Sequence, residues 1–239
     1  MSLQVTPILC RAGSMDNYSY LIIDNITQKS AIIDPSEAAP IIHTCDTLNI
    51  KPDYIFNTHH HYDHTDANIE IQQYYNAQIV GAEADKHRIP GINITVNYND
   101  EFFLGESKAL ILKAQGHTQG HVLWYFPNDK ILFTGDTLFN LCIGGLFEGT
   151  PTEMFNTLQT IKQLPDDTVF YPGHEYTLHC LNDAMRINQH KPEMQEYLHL
   201  IKQRLNQGQS VAPIELRLEK ACNPYLSTSS LEEFLHIFA

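Results

Sequence analysis

The segment Thr58–His64 concentrates side chains that bind metal ions: it holds four histidines and one aspartate within seven residues. Imidazole nitrogen and carboxylate oxygen are the usual ligands of zinc and of neighbouring divalent metals. If this segment is extended, His59 and His61 point to the same side and can bind one ion. Asp63 and His64 would then serve a second ion, and both ions would need further ligands from elsewhere in the chain.

Three later loops supply such ligands. His117, Asp136 and His174 each follow an apolar, strand-like run and a glycine, which suits a side chain presented on a tight loop at the end of a strand. The seven candidates together predict a site for two metal ions. His60 and His121 share these motifs but not the ligand positions, and we expect both to pack around the site.

Composition excludes several other classes of protein. The chain has 239 residues, of which 43% are hydrophobic and 18% charged, which predicts an ordered globular protein. A formal net charge of -13 has the wrong sign for nonspecific binding to nucleic acid or to an anionic membrane. We find no secretion signal and no apolar run long enough to span a bilayer.

The cysteines indicate a reducing environment. They number five, are widely spaced and contain no Cys-x-x-Cys motif, so we expect no disulfide framework and predict a cytoplasmic location. Cys142 lies six residues after Asp136. A thiol nucleophile would need a base and a pocket that favours the thiolate, and no sequence feature provides either. We therefore expect Cys142 to have a packing role.

The hydrophobic pattern predicts mixed α and β structure. We predict strands over residues 3–9, 18–24, 30–34, 53–57, 78–81, 94–97, 101–104, 108–114, 121–126, 130–134 and 168–171. We predict helices over residues 36–48, 63–75, 83–87, 151–163, 177–190 and 192–207. Asp34 and Asp100 lie beside a proline or a turn, so capping is the expected role of both. The change to helical character near residue 173 predicts a domain boundary there.

The order of the seven candidate ligands resembles the metallo-β-lactamase superfamily, whose His-x-His-x-Asp-His motif is followed by a lone histidine, a bridging aspartate and a final histidine. Within this superfamily, three segments of the chain are similar to glyoxalase II, the hydroxyacylglutathione hydrolases. They are Thr-His-His-His-Tyr-Asp-His, Gly-Asp-Thr-Leu-Phe and Gly-His-Glu-Tyr-Thr. The resemblance implies an α/β fold, an αββα sandwich of two face-to-face sheets with helices outside. It also implies a catalytic domain over residues 1–173 and a small helical, substrate-binding domain over 174–239.

The resemblance also implies a reaction. Two divalent ions, zinc or alternatively iron or manganese, would share a hydroxide that attacks the thioester of an S-(2-hydroxyacyl)glutathione such as lactoylglutathione. The products would be a hydroxy acid (D-lactate) and glutathione. Asp63 and Asp136 are the expected catalytic carboxylates. The implied ligands are His59, His61 and His117 on one ion, Asp63, His64 and His174 on the other, and Asp136 on both.

The substrate-binding positions depart from the family pattern. Tyr176 matches a tyrosine that contacts glutathione, and Phe147 stands at a position that is often tyrosine. Gly145 and Ser227 stand where the family has basic residues, so two cations that could bind the carboxylates of glutathione are missing. Losing a charge-assisted contact costs about 1.5 to 3 kcal/mol. The sequence therefore predicts weaker glutathione binding, a substituting basic residue or a different thiol carrier.

Three other functions are compatible with the motifs. A persulfide dioxygenase would need a single iron, which His59, His117 and Asp136 could hold. A lactonase or β-lactamase would keep both ions and cleave a different bond. A binding module with a structural metal is disfavoured, because such a closed site does not need seven ligands. We expect a small-molecule partner, no nucleic-acid or membrane partner, and a monomer or dimer.

Overall fold

The computed structural model describes residues 2–238. Its main chain forms two compact units. Unit 1 contains the residues up to Lys113 together with Gly120–Asp129, and unit 2 contains Ala114–Gln119 together with the residues from Lys130 onwards. In the described part of the chain, no helix combines the length and the apolar character needed to cross a membrane.

The first six strands of unit 1 form one sheet in chain order. Its elements are β1 (Leu3–Cys10), β2 (Asn17–Asp24), β3 (Ser30–Ile33), α1 (Ala38–Thr47), β4 (Tyr54–Phe56), α2 (Tyr62–Thr65), α3 (Asn68–Tyr75), β5 (Gln78–Ala82), β6 (Ile94–Val96), β7 (Glu101–Leu104), β8 (Ser107–Lys113) and β9 (Val122–Phe126). Strands β1 to β3 are antiparallel, and β3 to β6 are parallel. Strands β7 to β9 form an antiparallel set.

Side chains of β4 alternate between two cores, as the pleat of a strand requires. On one face Phe56 stacks on Trp124 of β9, with ring centroids 4.3 Å apart, and the ring of Phe102 packs edge-on against Phe56. On the other face Ile55 joins Ile41 in an apolar cluster that includes residues of α1 and α3. Strands β1–β6 are therefore covered by a second set of strands on one side and by helices on the other, as the αββα prediction requires.

Unit 2 combines a small sheet with most of the later helices. Its elements are β10 (Ile131–Gly135), β11 (Leu138–Phe139), β12 (Cys142–Ile143), α4 (Pro151–Lys162), β13 (Val169–Pro172), α5 (Thr177–Asn188), α6 (Pro192–Asn206), β14 (Ile214–Glu215), α7 (Leu216–Cys222) and α8 (Leu231–Phe238). Strand β13 pairs with β10 in parallel and with β14 in antiparallel orientation, and β11 and β12 form a hairpin. The chain after β13 is mainly helical, as predicted.

The predicted helix over residues 63–75 is wrong in one respect. The chain forms two helices there, α2 and α3, because the Ala67 amide donates to the carbonyl of Pro35 at 3.1 Å and the chain bends between them. Such a tertiary hydrogen bond leaves no trace in hydrophobic periodicity. Strands β11, β12 and β14 and helices α7 and α8 were not predicted either.

We expected no disulfide framework and a packing role for Cys142, and the role expected for Cys142 is wrong. Cys142 of β12 and Cys180 of α5 are bonded to each other, whereas Cys10, Cys45 and Cys222 are reduced and buried. The two bonded cysteines are 38 residues apart in the sequence. Only the tertiary fold brings them together, so their spacing carried no signal.

Glu219 of α7 is a fully buried carboxyl that holds the β11–β12 hairpin in place. It accepts hydrogen bonds from the Tyr197 hydroxyl, from the Leu141 amide at 3.0 Å and from the Asn223 side-chain amide at 2.9 Å. Asn223 also donates to the carbonyl of Cys142 at 2.9 Å. Helix α7 is thereby connected to the hairpin by buried polar groups.

This arrangement predicts a pH dependence of stability. Burial raises the pKa of Glu219 to about 7, so the protonated carboxyl stabilises the fold below the pKa of an exposed glutamate, ~4.3. That contribution is lost as the pH rises through about 7. The wild-type protein should lose unfolding free energy between pH 5 and pH 8, and in Glu219→Gln this loss should be smaller by on the order of 2 kcal/mol. Urea denaturation at each pH measures the unfolding free energy.

Glu196 provides the matched control. Its hydrogen bonds to Arg217 lower the pKa of this exposed carboxyl, so it stays ionised across the same pH range. Glu196→Gln should keep the pH dependence of the wild-type protein. Identical pH profiles for Glu219→Gln and the wild-type protein would contradict the role of Glu219.

Candidate metal centre

Four of the predicted ligands lie together in unit 1, where the chain leaves β4 and enters α2. His59 and His64 are fully buried and their ring centroids are 4.3 Å apart. The ring of His61 lies 4.7 Å from that of His59, and His64 Nε2 lies 3.4 Å from Asp63 Oδ2. The carboxyl end of a parallel strand therefore carries a compact set of nitrogen and oxygen donors.

Hydrogen bonds orient three of these side chains. His59 Nδ1 lies 3.0 Å from the Thr58 hydroxyl. The Asn17 side-chain amide donates to the Asp63 carboxylate at 2.9 Å and to the Asp63 carbonyl at 3.1 Å. His64 Nδ1 bonds to a carboxylate at 3.1 Å. A partner at Nδ1 fixes the ring so that Nε2 is the nitrogen presented to a metal.

The carboxylate behind His64 belongs to Asp34. One of its oxygens accepts from the Thr58 amide at 2.7 Å, and the other accepts from the Thr58 hydroxyl at 2.6 Å and bonds to His64 Nδ1. Its backbone has a φ of +46°, a left-handed conformation that aspartate and asparagine tolerate better than most residues. The structure therefore gives Asp34 an orienting role in place of the predicted turn cap. Strands β3 and β4 are parallel neighbours, so their carboxyl ends meet, and no local sequence pattern signals this contact.

His60 and His121 support the ligand segment from outside, as predicted. His60 Nδ1 lies 3.1 Å from the buried carboxylate of Asp85, which in turn accepts from the guanidinium of Arg88. The His121 ring stacks on the ring of His59, with centroids 4.7 Å apart. These contacts hold the main chain between the candidate ligands.

The other three predicted ligands lie together in unit 2. Asp136 follows β10 and His174 follows β13, and these parallel strands end side by side. Asp136 Oδ2 lies 3.5 Å from His117 Nε2 and 3.3 Å from His174 Nε2. His117 Nδ1 bonds to the carbonyl of Gly145 at 2.7 Å, which fixes the ring with Nε2 towards the carboxylate.

These separations fit metal ligands better than hydrogen bonds. Nitrogen and oxygen atoms bound to one tetrahedral ion at ~2.0 to 2.2 Å lie about 3.4 Å from each other, whereas N–H···O hydrogen bonds span about 2.7 to 3.2 Å. Each of the three Nε2 to Oδ2 distances, at 3.3, 3.4 and 3.5 Å, lies in the range of a shared ion. The buried imidazole and carboxylate donors of both units are thus suited to divalent metal ions.

Gly144 allows the segment after β12 to approach these ligands. A Cβ atom at this position would lie 1.8 Å from the carbonyl oxygen of Asp136 and 3.0 Å from His117 Nδ1. No side chain can be accommodated there without moving backbone. The close approach places the carbonyl of the next residue, Gly145, within reach of His117.

The three predicted substrate-binding residues also lie beside ligand candidates of unit 2. Gly145 is exposed, and its carbonyl accepts the hydrogen bond of His117 Nδ1. The Phe147 ring is 73% exposed and lies edge-on to the His117 ring, with centroids 5.1 Å apart. The Tyr176 ring stacks on the His174 ring at 4.7 Å. Their contact with a substrate stays a prediction.

Two protein families match consecutive parts of the chain. The metallo-beta-lactamase superfamily matches residues 13–174, and the hydroxyacylglutathione hydrolase C-terminus matches residues 175–236. The hydroxyacylglutathione hydrolase of Pelagibacter ubique is 41% identical over 219 residues, which cover 92% of this chain and 92% of that protein. The hydroxyacylglutathione hydrolase of Rippkaea orientalis is 40% identical over 217 residues, which cover 88% of this chain and 84% of that protein.

Solved structures share the fold. The crystal structure of ETHE1 from Myxococcus xanthus superposes with a TM-score of 0.72 and covers 98% of this chain and 89% of its own. The sequence identity is 24%, so this similarity concerns the fold alone.

Proposed function

The chain belongs to the hydroxyacylglutathione hydrolase family of the metallo-β-lactamase superfamily, and we propose that it hydrolyses the thioester of an S-(2-hydroxyacyl)glutathione such as lactoylglutathione. Water adds to the acyl carbon, the C–S bond breaks, and a hydroxy acid and glutathione leave. The observation that carries this proposal is the convergence of two buried histidine nitrogens on Asp136 at 3.3 and 3.5 Å.

The proposed site holds two divalent ions. The ions would supply a Lewis acid for the thioester carbonyl and lower the pKa of water from ~15.7 towards neutrality. We propose zinc, which favours nitrogen and oxygen donors in tetrahedral arrangement, although iron and manganese accept the same donors. In line with the family motif, we propose His59, His61 and His117 as ligands of one ion, Asp63, His64 and His174 as ligands of the other, and Asp136 as a ligand of both.

Two carboxylates have catalytic roles in this proposal. Asp63 is held by the side-chain amide of Asn17, so its carboxylate has a fixed direction and can orient the attacking water and accept its proton. Asp136 sets the spacing between His117 and His174. A thiolate is a good leaving group, so cleavage of the C–S bond needs less help from an acid than cleavage of an amide.

The substrate is proposed to lie against the aromatic side chains near the ligands. Tyr176, stacked on His174, would contact the glutathione portion. Phe147, which is largely exposed, would cover an apolar part of the substrate. We propose residues 174–239 as the substrate-binding domain, next to a catalytic domain over residues 1–173.

Lys162, a basic residue beside Ser227, does not replace the missing cations. The Ser227 hydroxyl donates to the carbonyl of Pro224 at 3.1 Å. The Lys162 ammonium lies beside this turn but donates to the carbonyls of Thr228 at 2.8 Å and Ser227 at 3.4 Å. Because this ammonium binds main-chain oxygens, we expect weak binding of the glutathione carboxylates.

Restoring one cation should therefore improve substrate binding. A Cβ atom at Gly145 would meet only Phe147 Cε2, at an ordinary distance of 3.6 Å, so a lysine can be built there. We expect Gly145→Lys to lower the KM for lactoylglutathione about tenfold, the equivalent of about 1.4 kcal/mol, with little change in kcat. Steady-state thiol release measures both constants.

The matched control is Gly145→Gln, which adds a side chain without charge and should leave KM close to that of the wild-type protein. A lactoyl thioester of a thiol that lacks carboxylates should gain nothing from Gly145→Lys. Equal gains for both variants or for both substrates would contradict the assigned carboxylate contact. Absence of thiol release from lactoylglutathione by the metal-loaded wild-type protein would contradict the proposed function itself.

The dioxygenase alternative uses only part of this arrangement. A single iron held by His59, His117 and Asp136 would leave the orientation of Asp63 by Asn17 and that of His64 by Asp34 without a purpose. These two hydrogen bonds favour the hydrolase. Cytoplasmic location and a monomeric or dimeric state stay predictions, which cell fractionation and light scattering would test.

A further inference from the structure

The disulfide between Cys142 and Cys180 lies at an accessible place in unit 2. Both cysteines are half-buried and line a cavity of about 170 Å³, together with His179, Asp183 and Arg186. A small reagent could approach the pair through this cavity.

The three other cysteines differ from this pair. Cys10, Cys45 and Cys222 are buried, and burial raises the pKa of the Cys45 thiol to about 11 and that of the Cys222 thiol to about 12. Since the thiolate is the reactive form, these cysteines are unreactive in the folded protein. Thiol chemistry is therefore confined to the bonded pair.

The disulfide connects two segments that lie against the metal-ligand candidates of unit 2. Cys142 belongs to β12, which leads directly into Gly144 and Gly145, and the carbonyl of Gly145 accepts from His117. Cys180 lies one helical turn after Tyr176, whose carbonyl accepts from the Cys180 amide at 3.1 Å. The bond thus ties the loop that orients His117 to the first turn of α5.

We propose that Cys142 and Cys180 form a reversible thiol–disulfide exchange site, and that the oxidised pair holds the loop after β12 in the position that orients His117. A low-molecular-weight thiolate attacks one sulfur, the S–S bond breaks, and a mixed disulfide forms with release of one protein thiolate. A second small thiolate then attacks the mixed disulfide and releases the other protein thiolate. Two small thiols are oxidised to one disulfide, and Cys142 and Cys180 each gain a proton.

Reduction should loosen this loop without unfolding unit 2. The side chain of Asn223 still binds the Cys142 carbonyl at 2.9 Å, and the Leu141 amide still binds Glu219 at 3.0 Å. These buried contacts do not depend on the S–S bond. The expected change is therefore confined to the residues that follow β12.

The test uses the purified chain of 239 residues, with the metal that it carries, in buffers of glutathione and glutathione disulfide at graded ratios. Alkylation followed by mass spectrometry should find two reactive cysteines at the reducing end, Cys142 and Cys180, and none at the oxidising end. Amide hydrogen exchange over residues 143–147 should be about tenfold faster in the reduced protein. Its rate should fall back to the value of the oxidised protein on reoxidation. Both readouts are independent of thioester hydrolysis, so they can fail or succeed apart from the proposed function.

Two serine variants sharpen this test. In every buffer, Cys142→Ser and Cys180→Ser should show the fast amide hydrogen exchange of the chemically reduced protein over residues 143–147. Cys10→Ser, at a buried position in unit 1, should keep the redox response of the wild-type protein. If either serine variant fails to fold, the exchange rates of the reduced and reoxidised wild-type protein still test the proposal. Absence of the Cys142–Cys180 bond at every glutathione ratio, or equal exchange in both states, would overturn the proposal.

Discussion

Replacing Asp136 with asparagine is expected to lower kcat/KM for thioester hydrolysis by about 10³-fold or more, beyond the 10- to 100-fold typical of groups that only orient metal ligands. The variant should also bind less metal. The reason is geometric: one oxygen of Asp136 lies 3.5 Å from His117 Nε2 and 3.3 Å from His174 Nε2. Asparagine keeps the shape of the side chain but removes the negative charge that two cations would share.

Elemental analysis of the purified protein and steady-state thiol release measure these two effects. Asp129 provides a control, because it is buried to a similar degree and accepts hydrogen bonds from the amide and hydroxyl of Ser2. Asp129→Asn should retain the full metal content. Wild-type metal content and rate in Asp136→Asn would show that this carboxylate is not a shared ligand.

The second large effect is expected at Asp34, which would contact no metal. Asp34→Asn should lower metal affinity and kcat/KM by about 10- to 100-fold, because an amide cannot accept from Thr58 and from His64 Nδ1 as two carboxylate oxygens do. Asparagine tolerates the backbone φ of +46° at this position. The fold should therefore persist, and its thermal unfolding should change little.

Asp100 is the matched control for Asp34. The sequence suggests the same turn-capping role for both, and the structure supports it for Asp100, whose carboxylate accepts from the Asn97 amide at 2.7 Å in an exposed turn. Asp100→Asn should leave metal affinity and kcat/KM unchanged. If both variants bind metal as tightly as the wild-type protein, the orienting role of Asp34 is wrong.

The comparison of these two aspartates shows what the sequence could predict and what it could not. The candidate ligands were readable because His59, His61, Asp63 and His64 fall within one short segment and the others follow strand-like runs. The bond between Asp34 and His64 spans 30 residues, and it exists only because β3 and β4 are parallel neighbours. Pairing of strands is a tertiary property that local patterns do not report.

The same reason explains the other differences. Cys142 and Cys180 are brought together by the fold, and their spacing in the sequence is not that of any motif. At Gly145 the sequence shows only that a basic side chain is absent. The structure adds that the main-chain carbonyl of Gly145 orients His117, a role that residue type cannot reveal. The candidate residue types were therefore predictable here, and contacts between segments distant in the sequence were not.

The central proposal is that two divalent ions activate water for thioester cleavage. Its most direct test is to titrate the metal-free protein with zinc and follow thiol release from lactoylglutathione. We predict that the rate rises until about two ions are bound per chain, and that His61→Ala stays near the metal-free rate. A full rate without metal or with one ion, or a wild-type rate in His61→Ala, would contradict it.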